Sequence, residues 1–345
     1  MARGHEAHVI AYGGPSVLDD EFRGAGVDVV ASPQSTYLGR IRSIREWMRR
    51  TNLDVVHAVL RRASTLALIA RWPRPRPPLI TTDMSSATYG RKGPALLLAL
   101  AGFALADRVV TQTELNRTSI VRLAPWLRGK TVVIRNGLDT ERFSPHRAEA
   151  RDSDEKFTFC VVGTLTTVKN PFRVVDAVVE LRRRGYNEFR VDWYGRDGAK
   201  HGQNVGAAVR EYAAERGAGS HLFFHGDTPE IERAYGRADA LLHASVQEGF
   251  PNAVVEGMSC GLPVVVSGVA DLPQLVSEAR NGFVFDETDA GSIADAMERL
   301  LTSPEAERAC MGGRSREAAV RWFRAERFVG EFETLYRTLS AGRSS

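Results

Sequence analysis

Cysteine is scarce. Three residues, Cys160, Cys260 and Cys310, are spread over 345 positions. They are too few and too far apart for a disulfide framework or a C-x-x-C zinc site, and they read as small buried apolar side chains in a reducing compartment. Long apolar runs are also lacking. The longest, Pro94 to Ala106, covers 13 residues. A bilayer-spanning helix needs ~20, so this run predicts a buried or interfacial helix. Met1-Ala2-Arg3-Gly4-His5-Glu6 is polar and has no apolar core segment, so no signal peptide is expected. No G-x-G-x-x-G follows a strand pattern. Gly24-Ala25-Gly26 lacks the third glycine, which disfavours a dinucleotide-dependent dehydrogenase. Gly129-Lys130-Thr131 is not a P-loop, because Ala124 stands where the earlier glycine belongs.

What is present is ordinary in bulk and uneven in charge. Apolar residues make up 43% and charged residues 26%, as in a soluble globular protein, and the length suffices for two domains with full cores. Residues 1–145 carry 21 Lys and Arg against 12 Asp and Glu, whereas the remainder carries 25 against 30. The basic groups cluster at Arg40, Arg42, Arg45, Arg49 and Arg50, then Arg61 and Arg62, then Arg71, Arg74 and Arg76, then Arg91 and Lys92. Solvated helix faces account for part of this. An anionic lipid surface or a phosphorylated acceptor is the functional reading. No nucleic-acid-binding module accompanies the charge, so nucleic acid is not an expected partner.

Short β-branched runs alternate with amphipathic stretches along the whole chain. His8–Tyr12, 27–30, 54–59, 79–82, Arg108–Thr111 and 131–134 read as strands, with helices at 41–50, 63–70, 94–106 and 113–123 between them. The scheme repeats with strands at 157–162, 189–194, 221–224, 240–244, 263–267 and 282–285. This βαβα order predicts an α/β protein with two parallel, doubly wound, Rossmann-like sheets. The boundary falls in the polar stretch 146–156. Residues 1–145 form the expected first domain and 157–320 the second, with a last amphipathic helix over 321–340 that includes Trp322, Phe323, Phe328, Phe332 and Tyr336. Ligands of such folds bind at the carboxyl ends of the strands, so two facing domains would place a cleft there.

Three segments carry chemistry. Glu248-Gly249-Phe250-Pro251-Asn252-Ala253-Val254-Val255-Glu256 sets two acids on either side of a turn that opens a short helix, and Gly261-Leu262-Pro263 ends it. A helix N-terminus offers free N–H groups and a partial positive charge, which suit a phosphate, and carboxylates accept from sugar hydroxyls. Gly163-Thr164-Leu165-Thr166-Thr167-Val168-Lys169-Asn170-Pro171 leaves the first strand of the second domain. Gly163 permits a tight exit, Asn170 and Pro171 suit an N-cap and first helical residue, and Lys169 projects beside that helix start. A surface lysine on an ordinary βα loop is the bland alternative. Asn136-Gly137 is a turn signal that closes the first domain. Asp152-Ser153-Asp154 matches a D-x-D metal pattern but lies in the linker, so no metal site is assigned to it.

Together these segments resemble the family-4 retaining glycosyltransferases of the GT-B fold, also called glycosyl transferases group 1. Asn136 to Asp139, Gly163 to Lys169, Ala238 to Ser245 and the E-x7-E segment carry the resemblance, which is most specific over residues 157–302. The resemblance implies two Rossmann-like domains with an interdomain cleft. It also implies metal-independent transfer of a sugar from a UDP- or GDP-linked donor, with no cofactor, to a glycan or lipid-linked acceptor in polysaccharide or envelope glycoconjugate synthesis. It places Glu248 near the anomeric centre of the donor sugar and Glu256 on the nucleotide ribose. The diphosphate falls to Lys169 and the N–H groups around Phe250, Pro251, Asn252 and Ala253, with Gly163 and Thr164 on the loop beside it. A lysine and preorganised N–H groups would stabilise the charge that builds on the leaving diphosphate, a term of ~3–4 kcal/mol per well-placed donor. The sparse cysteines point to the cytoplasm, and the basic first half with the apolar run Pro94 to Ala106 points to a lipid-linked or polysaccharide acceptor and a peripheral position at the inner membrane face.

The chain departs from the family pattern in three places. Thr164 stands where an arginine is common, leaving Lys169 to act alone or with Arg173. Val59 stands where a histidine two residues beyond His57 usually faces the reacting sugar; His57 itself reads as a strand-end residue. Arg3 to Ile10 resembles the segment after the family's first helix, which implies an N-terminal truncation that removes the first strand and its glycine loop. The rival alignment makes His8–Tyr12 the first strand and Gly13-Gly14-Pro15 that loop. Two alternatives follow from these departures: a glycosyltransferase-like protein that binds a nucleotide sugar without turnover, and a nucleotide-sugar epimerase of the same fold. A glycosidase is disfavoured, because acids at the two ends of a two-turn segment need not flank one bond and the phosphate features would go unused.

Overall fold

β-branched and aromatic residues fit the pleated surface of a buried strand, and in this chain they recur in short runs of up to six. The computed structural model describes residues 4–12, 17–32, 35–72, 77–84, 93–145, 156–200 and 203–341. The chain forms two compact units. The first comprises Met1–Thr111, Arg117–Val133 and Thr334–Ser345, and the second Gln112–Asn116 and Ile134–Glu333.

In the first unit, β1 (His8–Tyr12) and β2 (Asp28–Ser32) pair in parallel around α1 (Val17–Gly24). Helix α2 (Tyr37–Arg50) follows. It starts four residues before the expected Ile41, because Thr36 caps it: the Thr36 hydroxyl accepts from the Gly39 N–H at 3.1 Å. A second parallel sheet runs β3 (Val56–Val59), β4 (Leu79–Asp83), β5 (Arg108–Thr111), β6 (Thr131–Val133) in that spatial order. Its crossover helices are α3 (Arg61–Ala70), α4 (Pro94–Leu105) and α5 (Glu114–Leu123). Leu100 and Phe103 of α4 pack with Val109, Ile120 and Leu127, and Ile41 and Ile44 of α2 with Leu66 and Ala70 of α3.

The second unit holds a six-stranded parallel sheet. Its elements in chain order are β7 (Phe157–Val162), α6 (Pro171–Arg183), β8 (Phe189–Tyr194), the two-residue strands β9 (Ala199–Lys200) and β10 (Gln203–Asn204), α7 (Val205–Glu215), β11 (Leu222–Gly226), α8 (Ile231–Arg237), β12 (Ala240–His243), α9 (Asn252–Ser259), β13 (Val264–Ser267), α10 (Leu272–Ala279), β14 (Gly282–Phe285), α11 (Ala290–Thr302), α12 (Glu305–Phe323) and α13 (Ala325–Ala341). The spatial order is β11-β8-β7-β12-β13-β14. The chain therefore winds outward from β7 to one edge, returns, and winds outward from β12 to the other. The switch of direction lies between β7 and β12, and a doubly wound sheet binds its ligands at the carboxyl ends of that strand pair. Phe159, Val191 and Trp193 face a core shared with α6, α7 and α11. Cys160, Leu241 and Val266 face the other side, under α8, α9, α10 and α12.

Two expectations need correction. The C-terminal helix is not continuous through Trp322 and Phe323. Arg324 is extended (φ −57°, ψ 143°), and the opened backbone pairs with Leu138, whose N–H donates to the Phe323 carbonyl at 2.6 Å while Ala325 N–H donates back to the Leu138 carbonyl at 2.9 Å. Cys160 and Cys260 are buried, as read from the sequence, but Cys310 is exposed. Gly13-Gly14-Pro15, Asp152-Ser153-Asp154 and residues 73–76 of the proline-rich loop lie outside the described residues. Among the described residues no helix is long and apolar enough to cross a membrane.

Candidate functional site

The loops that leave β7 and β12 at the switch point carry Lys169 and Glu248, and α9, which follows the second loop, carries Glu256. After β7 the chain turns at Gly163 (φ +152°), where a side chain would be strained. The Gly163 N–H donates to the Tyr194 carbonyl at 2.9 Å, and its own carbonyl accepts from the Trp193 indole at 2.8 Å. A Cβ on Gly163 would lie 2.9 Å from Lys169 Cε, so the lysine side chain folds back over this glycine. Thr164 is half-buried. Asn170 occupies the residue before α6 but does not cap it. It is left-handed (φ 58°, ψ 39°), and its amide donates instead to the Glu287 carbonyl at 2.7 Å, with Pro171 buried at the first helical position. That bond anchors the loop from behind.

The loop after β12 is stitched to the first by Val246 N–H donating to the Val168 carbonyl at 2.9 Å. Lys169 Nζ then donates to Glu248 Oε1 at 2.6 Å. His243 Nε2, at the end of β12, lies 3.0 Å from the same oxygen but off hydrogen-bond alignment. Burial is the largest influence on Glu248 and pushes its carboxyl up. The nearby His243 and Lys169 outweigh it and hold the carboxyl at about 2. His243 is itself held below the usual imidazole range by complete burial. Glu248 is thus a carboxylate at neutral pH, engaged by the Lys169 Nζ.

The E-x7-E helix is α9. Pro251 is buried ahead of it, Phe250 packs edge-on against Phe323 at 5.8 Å, and Asn252 is exposed with its Oδ1 accepting from the Asn136 amide at 3.0 Å. Of the three N–H groups expected to hold a diphosphate, that of Asn252 already donates to the Phe250 carbonyl at 3.0 Å. Those of Phe250 and Ala253 have no partner among the described residues, which leaves two donors at the positive end of the helix. Glu256, one face down the helix, accepts from the Tyr235 hydroxyl at 2.8 Å; the same hydroxyl lies 3.3 Å from the Ala253 carbonyl. Burial raises the Glu256 carboxyl above its ordinary range, against the pull of Tyr235 and Arg142. Arg173 pairs with Asp176 on α6 at 3.6 Å.

The structure thus gathers Gly163, Lys169, Glu248, Phe250, Ala253 and Glu256 at one strand-end region of one unit. Three contributors went unassigned in the sequence. His243 belonged to a segment already noted, and its place as the last residue of a switch-point strand was the available signal. Tyr235 and Gly195 gave none. A Cβ on Gly195 (φ +150°) would sit 2.2 Å from the Gly163 carbonyl oxygen, so this glycine lets the two strand ends meet.

The α/β units with their parallel sheets are those of the GT-B glycosyltransferase fold. The chain belongs to the glycosyl transferases group 1 family, whose description matches residues 143–317, while the Glycosyltransferase Family 4 description matches residues 1–142. It is 28% identical over 226 residues to D-inositol 3-phosphate glycosyltransferase of Saccharomonospora viridis, covering 63% of this chain and 52% of that protein. The chain spans about half or less of the length of the first curated relatives it matches. The fold is similar to a glycosyltransferase from Rickettsia africae (TM-score 0.81, 17% identity, 98% of this chain and 91% of that one). It is also similar to Anabaena HepE solved with UDP and glucose (TM-score 0.79, 18% identity, 96% and 91%).

Proposed function

We propose that this chain is a retaining glycosyltransferase that moves a sugar from a nucleoside diphosphate donor to a glycan or lipid-linked acceptor, in the synthesis of polysaccharide or envelope glycoconjugate. The observation that supports it most is the Lys169–Glu248 pair at 2.6 Å, set at the switch point ahead of a helix with two open N–H groups. In this reading Lys169 and the N–H groups of Phe250 and Ala253 take the diphosphate and stabilise it as it leaves. Glu248 accepts from hydroxyls of the transferred sugar near the anomeric carbon. Glu256, oriented by Tyr235, accepts from the ribose. The leaving charge is met by the ammonium and the helix N-terminus, so no metal enters the scheme. HepE was solved with UDP and glucose, which makes a UDP-linked donor the first choice and a GDP-linked one the second. A lipid-linked acceptor places the enzyme in the cytoplasm at the inner membrane face.

Calorimetry with UDP, GDP and ADP on the wild type and on Glu256→Ala tests the donor site. If none binds the wild type, the reading fails; if Glu256→Ala binds as tightly, the ribose role of Glu256 fails.

One observation favours a second reading, binding without turnover. Val59 replaces the histidine that the family usually carries. His57, two residues earlier, has both ring nitrogens engaged: Nδ1 with the Tyr336 hydroxyl at 2.8 Å and Nε2 with the Thr82 hydroxyl at 2.6 Å. UDP release from a bound UDP-sugar in the presence of acceptors separates the two, since the second reading requires binding with no release.

A further inference from the structure

The outer surface of the helical layer of the first unit is apolar where solvent ordinarily selects polar residues. Strands β3, β4, β5 and β6 are neighbours in chain order, so right-handed crossovers put α3, α4 and α5 on one face of that sheet. The layer is continuous. Leu68 of α3 lies against Gly102 of α4, and Leu100 and Phe103 of α4 share a core with Ile120 of α5. Helix α4, Pro-Ala-Leu-Leu-Leu-Ala-Leu-Ala-Gly-Phe-Ala-Leu, has no polar side chain anywhere. Leu100 and Phe103 are its buried stripe; Leu97, Leu98 and Leu105, on the opposite arc, are 68%, 70% and 65% exposed. Beside it, Trp72 just past α3 is 74% exposed and Trp126 just past α5 is 69% exposed. A helix that is apolar all round is normally buried, and this one has a bare side.

The charge around that side is mostly of one sign. Residues 61–72, 93–108 and 114–130 contain eight Arg and Lys and two acids, Asp107 and Glu114. Arg71 neutralises Asp107 at 2.6 Å. Arg122 and Arg128 are exposed on either side of Trp126, and Lys130 reaches the carboxyl end of α4, donating to the Ala104 and Ala106 carbonyls at 2.9 and 3.1 Å. Leucines flanked by tryptophans and arginines match the boundary between acyl chains and anionic headgroups. A second copy docked face to face would set basic rim against basic rim.

We propose that this face is a bilayer-docking surface, with α4 lying in the plane of an anionic membrane interface. The proposal names the face that meets the lipid and rests on no part of the donor site. The test is sedimentation of the full chain, without nucleotide, with vesicles of phosphatidylcholine alone and of phosphatidylcholine mixed with phosphatidylglycerol. The wild type is expected to sediment with the mixed vesicles and to be partly released by salt. Leu97→Glu combined with Leu98→Glu is expected to lower the partition by about tenfold or more. Leu38→Glu, equally exposed on α2, leaves it unchanged. Arg122→Glu combined with Arg128→Glu gives an independent reading should the first pair compromise folding, and it too is expected to release the protein. The proposal is overturned by a wild type that stays in the supernatant with both vesicles, or by either pair binding as the wild type does. Equal binding to neutral vesicles removes the anionic surface from it. A dimer in light scattering that the leucine pair dissolves, without vesicle binding, makes the face a self-association surface instead.

Discussion

Lys169 Nζ donates to Glu248 Oε1 at 2.6 Å across 79 positions of sequence. The pair exists because β7 and β12 are neighbours at the point where the sheet reverses its winding, so their two exit loops share one edge. With its carboxyl at about 2, Glu248 is ionised at neutral pH, and in the proposed reaction it would act through charge and hydrogen-bond acceptance. Glu248→Gln keeps the shape and removes the charge. It is expected to lower kcat for sugar transfer by about 10²–10³ with a small change in UDP affinity, whereas Lys169→Ala lowers both. Steady-state kinetics beside calorimetry reads the difference. Wild-type kcat in Glu248→Gln would remove this carboxylate from the reaction.

Glu256 works in the opposite sense. Burial raises its carboxyl, so the folded state holds its proton more tightly than the unfolded state does. The ionised form therefore burdens the fold once pH passes the ordinary carboxylate range, and the burden vanishes in acid. Glu256→Gln is expected to melt higher than the wild type at neutral pH and level with it near pH 4, while losing about tenfold or more in UDP affinity. Melting curves at the two pH values, paired with titrations, check both halves. A lower melting temperature at neutral pH contradicts the account.

His57 sets an acid limit on the first unit. Burial lowers its imidazole from 6.5 to about 4. Unfolded chains take up the proton first, so stability present above pH 6.5 is lost as pH falls toward 4, by as much as about 3 kcal/mol. Tyr336→Phe removes a 2.8 Å hydrogen bond and is expected to cost about 1 kcal/mol at neutral pH. His57→Gln flattens the profile between pH 6.5 and 4, which chemical denaturation across that range measures. An unchanged slope in His57→Gln assigns the acid loss to other groups.

The strands were legible because their β-branched runs are short and bounded by turn residues, and five of the twelve expected runs have the bounds read from the sequence. The E-x7-E turn was legible because a proline, an asparagine and two acids mark a helix start without help from tertiary structure. His243 beside Glu248 was not, since it depends on the path of the loop between them. Nor was the break at Arg324, which exists because Leu138, far away in sequence, takes the backbone groups that the helix gives up. Tyr235 and Glu256 meet only because α8 and α9 pack on the same sheet face. Local pattern sets elements; the chemistry at the strand ends depends on contacts between elements.

The two glycines under the lysine loop give the sharpest test of that dependence. A Cβ on Gly195 meets the Gly163 carbonyl oxygen at 2.2 Å and its carbon at 2.5 Å, backbone atoms that cannot swing aside. Gly195→Ala is therefore expected to cost about 3 kcal/mol or more, by forcing the ends of β7 and β8 apart. A Cβ on Gly163 meets only Lys169 Cε at 2.9 Å, the far part of a flexible side chain, although its φ of +152° adds strain. Gly163→Ala is expected to cost about 1–2 kcal/mol and to move the ammonium off Glu248, so its loss of UDP affinity should exceed what its modest destabilisation explains. Denaturant unfolding of both variants, with calorimetry on the folded one, distinguishes the cases. If Gly195→Ala unfolds at the wild-type midpoint, the strand ends are not packed as described; if Gly163→Ala binds UDP normally, the lysine does not depend on the bare glycine beneath it.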